Sequence, residues 1–109
     1  MPLYMTQFAY TAEAWAALTR KPEDRTEVLG GLLERAGGRL HSFYYSFGEF
    51  DGVFIYEAPD ETAVTAAVLA ATAAGHIKML KTTTLIPMDR ALEAMRKAGT
   101  LAYSAPTGG

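Results

Sequence analysis

The sequence predicts an α+β domain in which helices cover one face of a four-stranded antiparallel sheet. Two observations lead to this class. Segments rich in aromatic and β-branched residues alternate with segments that carry apolar residues at helical spacing. Their order along the chain is strand, helices, strand, strand, helix, strand, with one more helix at the end. This order is that of the ferredoxin-like, or split β-α-β, arrangement.

The first third of the chain supplies one strand and two helices. Residues 3–9, LYMTQFA, mix apolar and β-favouring residues and predict the strand. Thr11 is a typical N-cap for a helix over AEAWAALTR. Pro22 favours the first turn of a new helix, which we expect to run from Pro22 to Ala36 because its apolar residues follow the helical period. The Gly-Gly pair that follows ends this helix in the left-handed conformation.

An aromatic hairpin occupies the middle of the chain. Residues 39–47, RLHSFYYSF, and residues 53–58, VFIYEA, predict two strands joined by the turn GEFDG. The simplest turn places Tyr45 opposite Ile55, so Tyr44 and Tyr56 would lie on one face of the sheet. Both faces would then be aromatic, whereas a sheet with one face in water alternates apolar and polar residues. We therefore expect the second face to meet another subunit, in a homodimer with its sheets face to face, a dimeric α+β barrel.

The remaining elements complete the pattern. Asp60 is a typical N-cap for a helix that Gly75 ends, and residues 76–86 predict the fourth strand. Pro87 opens a last helix that runs through Ala98, and we expect its apolar residues Leu92 and Met95 to face inward.

Composition and length limit the function classes. The 109 residues predict one domain, residues 1–98, and a Gly/Pro/Thr-rich tail, residues 99–109. The absence of cysteine excludes disulfides, thiolate metal sites and cysteine nucleophiles. A net charge of −2 with no basic block argues against nucleic-acid binding. The apolar run at 63–75 is too short and too rich in alanine and threonine to cross a membrane, so we expect a cytoplasmic protein.

The run GGRLHSFYYSFGEFDGVFIYEAPDE resembles the GYD domain family, in which a strand of this aromatic type leads into a Gly-x-Tyr-Asp turn and an apolar strand ending in E-A-P-D. The resemblance covers residues 2–98. One departure is Phe50, where the family usually has tyrosine, so a phenolic hydroxyl is absent at that turn. The resemblance implies a dimeric α+β barrel, a fold shared with a superfamily that includes cofactor-independent monooxygenases, isomerases and haem-binding proteins.

Five residues are the candidates for a site. His41 and Tyr45 are candidate catalytic residues, because an imidazole or a phenol serves as acid or base. Trp15, Tyr44 and Tyr56 are candidate ligand-binding residues, because aromatic side chains with a polar tip line small-molecule pockets. The structural alternative for each is a place in the core or in a dimer interface.

Three functions stay open at this point. The first is a homodimer, or higher homo-oligomer, that binds a small apolar or aromatic ligand or serves a structural role. The second is a cofactor-independent monooxygenase or isomerase acting on a small aromatic or polyketide-like substrate. The third is haem binding through His41 or His76. No motif predicts a metal, a nucleotide or another cofactor, because the metal-ligand spacings, the dinucleotide fingerprint and the P-loop are absent.

Overall fold

A computed structural model describes residues 1–107 of the chain. The elements follow the predicted order, with two helices in the first crossover and one after the last strand. They are β1 (Leu3–Tyr10), α1 (Ala12–Arg20), α2 (Thr26–Arg35), β2 (Arg39–Tyr45), β3 (Gly52–Glu57), α3 (Glu61–Ala73), β4 (Ile77–Leu85) and α4 (Met88–Ala98).

The four strands form one antiparallel sheet in the order β2-β3-β1-β4. The two crossovers place β1 and β3 in the centre and leave β2 and β4 as edge strands. This strand order and the helices that connect it confirm the predicted ferredoxin-like α+β fold.

The helix starts at Thr11 and Asp60 are set by side-chain caps, as predicted. The Thr11 hydroxyl accepts a hydrogen bond from the Ala14 amide at 3.2 Å, and the Asp60 carboxylate accepts one from the Ala63 amide at 2.9 Å. The second helix begins later than predicted, at Thr26 and not at Pro22. The Asp24 carboxylate accepts a hydrogen bond from the Thr26 amide at 2.9 Å, which holds the preceding residues in a turn.

The core lies between α2, α3 and the face of the sheet that we call the helix-side face. Tyr56, at 1% exposure, is buried there with Leu33, Val64 and Ala67. The opposite face, which we call the open face, has no helix over it among the described residues. Its apolar members are Leu3, Met5, Tyr44, Val53, Ile55, Met79 and Leu85.

The register of the aromatic hairpin differs from the predicted one. Tyr45 pairs with Gly52 and not with Ile55, a difference of three residues, and Tyr44 pairs with Val53. A shift by an odd number of residues places two residues that were predicted to share a face on opposite faces of the sheet. Tyr56 therefore lies on the helix-side face while Tyr44 lies on the open face, and the predicted Tyr44–Tyr56 pair is wrong.

The connecting loop accounts for this register, and a bulge changes it by one residue farther from the turn. The strand β2 ends at Tyr45, so the connection to β3 is longer than the predicted five-residue turn. The pairing also shifts between Leu40 and Ser42, where one extra residue, His41, bulges from the ladder.

The last helix is placed differently from the prediction. Its residues Leu92 and Met95 are 43% and 62% exposed, and α4 contributes no buried residue. The inward orientation predicted for these two side chains is therefore wrong. Residues 102–107 of the predicted tail are exposed and have no helix or strand, and residues 108 and 109 lie outside the described part of the chain.

Candidate functional site

A cavity of about 270 Å³ lies between the helix-side face of the sheet and the helices α2 and α3. Most of its lining is apolar, with Leu29 and Leu32 from α2 and Phe43, Phe54 and Leu80 from the sheet. The volume is close to the lower end of the range for small-molecule pockets, about 300 Å³. This apolar cavity, enclosed by the sheet and two helices, is the candidate binding site.

Small side chains on α3 explain why this space is not filled by the core. Ala67, Ala70, Ala71 and Ala74 all line the cavity, and their spacing of three and four residues places them on one face of the helix. Ala67 belongs to the packed core together with Leu33, and the short side chains of the other three alanines leave space beside it. The alanines of α3 are therefore the sequence feature that leaves this cavity open.

Aromatic rings close the sheet side of the cavity. Phe8, at 3% exposure, contacts Phe43 and Phe54 with ring centroids 5.7 and 6.0 Å apart. Gly52, directly opposite Phe8 in the sheet, leaves room for the ring, because a Cβ atom at this position would overlap the ring atoms of Phe8. Phe8, Phe43 and Phe54 thus form an apolar wall of rings tilted against one another, against which an aromatic ligand can pack.

A second aromatic group forms one end of the cavity. Tyr10 lines the cavity and packs edge-on against Trp15, with ring centroids 5.1 Å apart. Trp15 in turn contacts Tyr45 at 5.4 Å and Phe47 at 5.3 Å. Trp15 is linked to the cavity through Tyr10, whereas Tyr45 also contacts the lining residues Phe8 and Phe43. Neither Trp15 nor Tyr45 lines the cavity itself.

Asp51 holds this aromatic group together. One of its carboxylate oxygens, Oδ2, accepts hydrogen bonds from the Trp15 indole and from the Tyr10 amide, each at 3.0 Å. Its own amide donates to the Phe8 carbonyl at 2.8 Å. The loop between β2 and β3 is thereby attached both to β1 and to α1.

Two phenols in the cavity stay protonated well above neutral pH. Burial, reinforced by the Tyr45 phenol, raises the pKa of Tyr10 above its ordinary value. Burial also raises the pKa of Tyr56, although the Thr6 and Thr82 hydroxyls oppose that shift. Tyr56 and Thr6 share a hydrogen bond of 2.8 Å, and Thr6 and Thr82 share one of 2.9 Å. Near pH 7 both phenols are therefore neutral hydrogen-bonding groups and not bases.

The structure separates the five predicted site residues. Tyr56 lines the cavity, and Trp15 and Tyr45 lie behind Tyr10. Tyr44, at 64% exposure, lies on the open face of the sheet. His41 is not among the cavity-lining residues, and its Nε2 atom lies 3.2 Å from the Glu57 carboxylate. The five residues therefore do not form one constellation.

Sequence reasoning missed several residues that line the cavity or hold its end. It assigns no role to Tyr10, considers His76 as a haem-ligand candidate, and places Asp51 in the turn. The helical spacing of the alanines is visible in the sequence and could have indicated their shared face. No sequence pattern indicates the role of Asp51, because its hydrogen-bond partners are 36 and 41 residues away. Arg25, Arg35 and His76 add basic groups to the lining.

Metal and membrane features are absent from the described residues. No group of three or more histidine, aspartate or glutamate side chains within residues 1–107 is arranged to hold a metal ion. None of the helices in that range combines the length and the apolarity that a bilayer crossing requires.

The chain belongs to the GYD domain family, because the family model for the GYD domain matches residues 4–95. The match includes the residues of the aromatic hairpin and of the alanine-rich helix. The search among curated proteins gives no match.

Solved structures share the general arrangement at low sequence identity. FFRP-DM1 is 16% identical, with a TM-score of 0.49, over 79% of this chain and 100% of that chain. A transcriptional regulator of Neisseria meningitidis in complex with L-Met is also 16% identical, with a TM-score of 0.49, over 79% of this chain and 50% of that chain. An uncharacterized NIPSNAP domain protein from Burkholderia xenovorans is 15% identical, with a TM-score of 0.48, over 80% of this chain and 94% of that chain.

Proposed function

We propose that this protein binds a small apolar or aromatic molecule in the cavity between the sheet and the helices α2 and α3. The observation that carries the proposal is the cavity of about 270 Å³ with its apolar lining. The aromatic wall of Phe8, Phe43 and Phe54 supplies contact area for a ring. The Tyr10 phenol supplies a hydrogen-bonding group at one end.

The volume limits the size of the ligand. An apolar cavity of about 150 Å³ holds one benzene ring, and drug-sized ligands need about 300 Å³ or more. A volume of about 270 Å³ therefore suits a molecule with one ring and a substituent, or with two fused rings. Because both phenols in the lining are neutral at pH 7, an uncharged hydroxyl or carbonyl on the ligand matches them.

We also propose that the protein is a homodimer whose contact is the open face of the sheet. Tyr44 and Met79 are 64% and 44% exposed on this face, beside the half-buried Met5, Val53 and Ile55. Large exposed apolar patches are typical of surfaces that meet another protein. An isologous contact between two such faces gives the symmetric homodimer predicted from the aromatic hairpin.

The first experiment is native mass spectrometry of the protein purified from its own host. A dimer that carries an additional mass, released on unfolding, would support both parts of the proposal and would give the mass of the ligand. The matched variants are Ala71→Leu, which fills the cavity, and Ala66→Leu, which adds the same group to an exposed part of α3. Retention of the extra mass by Ala71→Leu would contradict this location of the site.

The dimer contact is tested separately with Tyr44→Asp. In one subunit this side chain is exposed, so the fold is expected to stay intact. A carboxylate buried without a partner in the dimer is costly, and the dimer is expected to dissociate. Thr65→Asp, on the exposed side of α3, is the control. Sedimentation equilibrium that gives the same dimer for both variants would refute the open face as the contact.

A further inference from the structure

The helix α4 carries an apolar stripe that no other part of the described chain covers. The stripe runs along one side of the helix at spacings of three and four residues, and every remaining position except Ala94 carries a charge. Met88, Leu92 and Met95 are 70%, 43% and 62% exposed. The stripe consists of Met88, Ala91, Leu92, Met95 and Ala98; the charged side consists of Asp89, Arg90, Glu93, Arg96 and Lys97.

No residue of α4 is buried, and the chain as a whole is extended. The radius of gyration is 18.0 Å, whereas a compact domain of this length has about 13 Å. The longest dimension is 58 Å. An isolated helix shorter than about 12–15 residues is only marginally stable in water. With 11 residues and an exposed apolar stripe, α4 requires a packing partner.

The chain itself supplies a matching surface near the start of α4. The strand β4 ends at Leu85, whose side chain lies on the open face, and α4 begins three residues later at Met88. When two open faces meet, the two helices therefore emerge at the rim of the contact. Each helix is then beside the second subunit.

The size of the open face also favours an additional contact. Four strands spaced about 4.8 Å apart, with about seven to eight residues each, cover roughly 480 Å² in projection. A standard protein–protein interface buries about 800 Å² on each partner. The exposed stripe of α4 supplies additional apolar surface, which brings the contact closer to the area of a standard interface.

The charges of α4 argue against a membrane as the partner. Helices that lie on membranes carry mainly lysine and arginine on the polar side. The polar side of α4 mixes the acids Asp89 and Glu93 with its basic residues. A protein surface is the better match.

We propose that α4 is an exchanged arm, which packs its apolar stripe on the second copy of the chain and not on its own sheet. The proposal rests on the homodimer proposed above and adds a second contact to it. Each subunit thereby holds the other both through the open face and through the arm.

Paired substitutions on the two sides of α4 test the arm. Leu92→Ser with Met95→Ser removes the stripe, whereas Glu93→Ser with Arg96→Ser places the same residues on the charged side. By sedimentation equilibrium, the first pair is expected to raise the dimer dissociation constant at least tenfold and the second less than about threefold. An unchanged dissociation constant in the first pair would overturn the arm and leave the dimer standing. A monomeric parent protein would instead overturn the dimer on which the arm depends.

Cross-linking identifies the surface that α4 contacts. Because the chain has no cysteine, Met95→Cys introduces a single attachment point for a benzophenone photoprobe. Irradiation is expected to give a product of twice the chain mass, and peptide mass spectrometry then locates the attached residues. A product of single-chain mass, linked to the open face of the same chain, would show that α4 folds back and would overturn the exchange.

Discussion

Filling the cavity from α3 is the most direct test of where a ligand binds. Ala71→Leu adds three carbon atoms at a position that lines the cavity of about 270 Å³. Each buried methylene contributes about 0.8 kcal/mol, so the added group is worth about 2 kcal/mol if it is accommodated. Ordering a leucine side chain costs about 0.5–1 kcal/mol of this. The expected net increase in the free energy of unfolding is about 1–2 kcal/mol.

The measurement is urea-induced unfolding followed by the fluorescence of Trp15, the single tryptophan of the chain. Leucine and alanine are both good helix formers, so the backbone contributes little to the difference. The control Ala66→Leu adds the same atoms at an exposed position and is expected to stay within about 0.5 kcal/mol of the parent protein.

Two results would refute the reasoning. A loss of about 1 kcal/mol or more in Ala71→Leu would mean that the added carbons meet packed atoms, as in an overfilled core. An equal gain in Ala66→Leu would mean that the effect comes from the helix and not from the cavity. The stability measurement needs no knowledge of the ligand, so it tests the cavity independently of the function.

Three further predictions concern the aromatic wall and the loop that supports it. Asp51→Ala is expected to lower the free energy of unfolding by about 1–3 kcal/mol and to shift the Trp15 emission. Asp51→Asn keeps an acceptor oxygen, so its free energy of unfolding should fall by less. Equal decreases for both variants in urea unfolding would contradict the hydrogen-bonding role. Gly52→Ala forces a methyl group against Phe8 and should cost about 1–3 kcal/mol by the same assay, while Gly48→Ala, with no atom nearby, should cost little. The raised pKa of Tyr10 means that the folded state favours the neutral phenol. The contribution of this phenol to stability is therefore present below about pH 10 and is lost as the pH rises through the folded-state pKa. Tyr10→Phe should flatten that part of the plot of unfolding free energy against pH, and an unchanged plot would show that another group is responsible.

Much of the fold could be predicted because its signals are local. The N-caps Thr11 and Asp60 and the glycines after α2 and α3 are set by contacts within three or four residues. Such signals are visible in the sequence without knowledge of the tertiary structure. The start of α2 was displaced because Asp24 competes for the Thr26 amide, a short-range contact that the proline signal concealed.

The register of the hairpin could not be predicted from the hairpin itself. Its loop is attached by Asp51 to Tyr10 and Trp15, which come from the first strand and the first helix. These contacts set where β2 ends and therefore which residue opposes Tyr45. Because alternate residues point to opposite faces, an error of three residues was enough to place Tyr44 and Tyr56, predicted to share one face, on opposite faces of the sheet.

The cavity was hidden for a different reason. Along α3 nearly every residue is small or apolar, so the sequence does not indicate which side of the helix faces the sheet. The same alanines that make the helix easy to recognise leave the space under it unfilled. A larger apolar residue at Ala71 would stabilise the core at the expense of the cavity, since buried apolar area favours folding. The alanines therefore make this core less stable than larger side chains would, and a ligand that fills the space would supply the contacts that those side chains would have made.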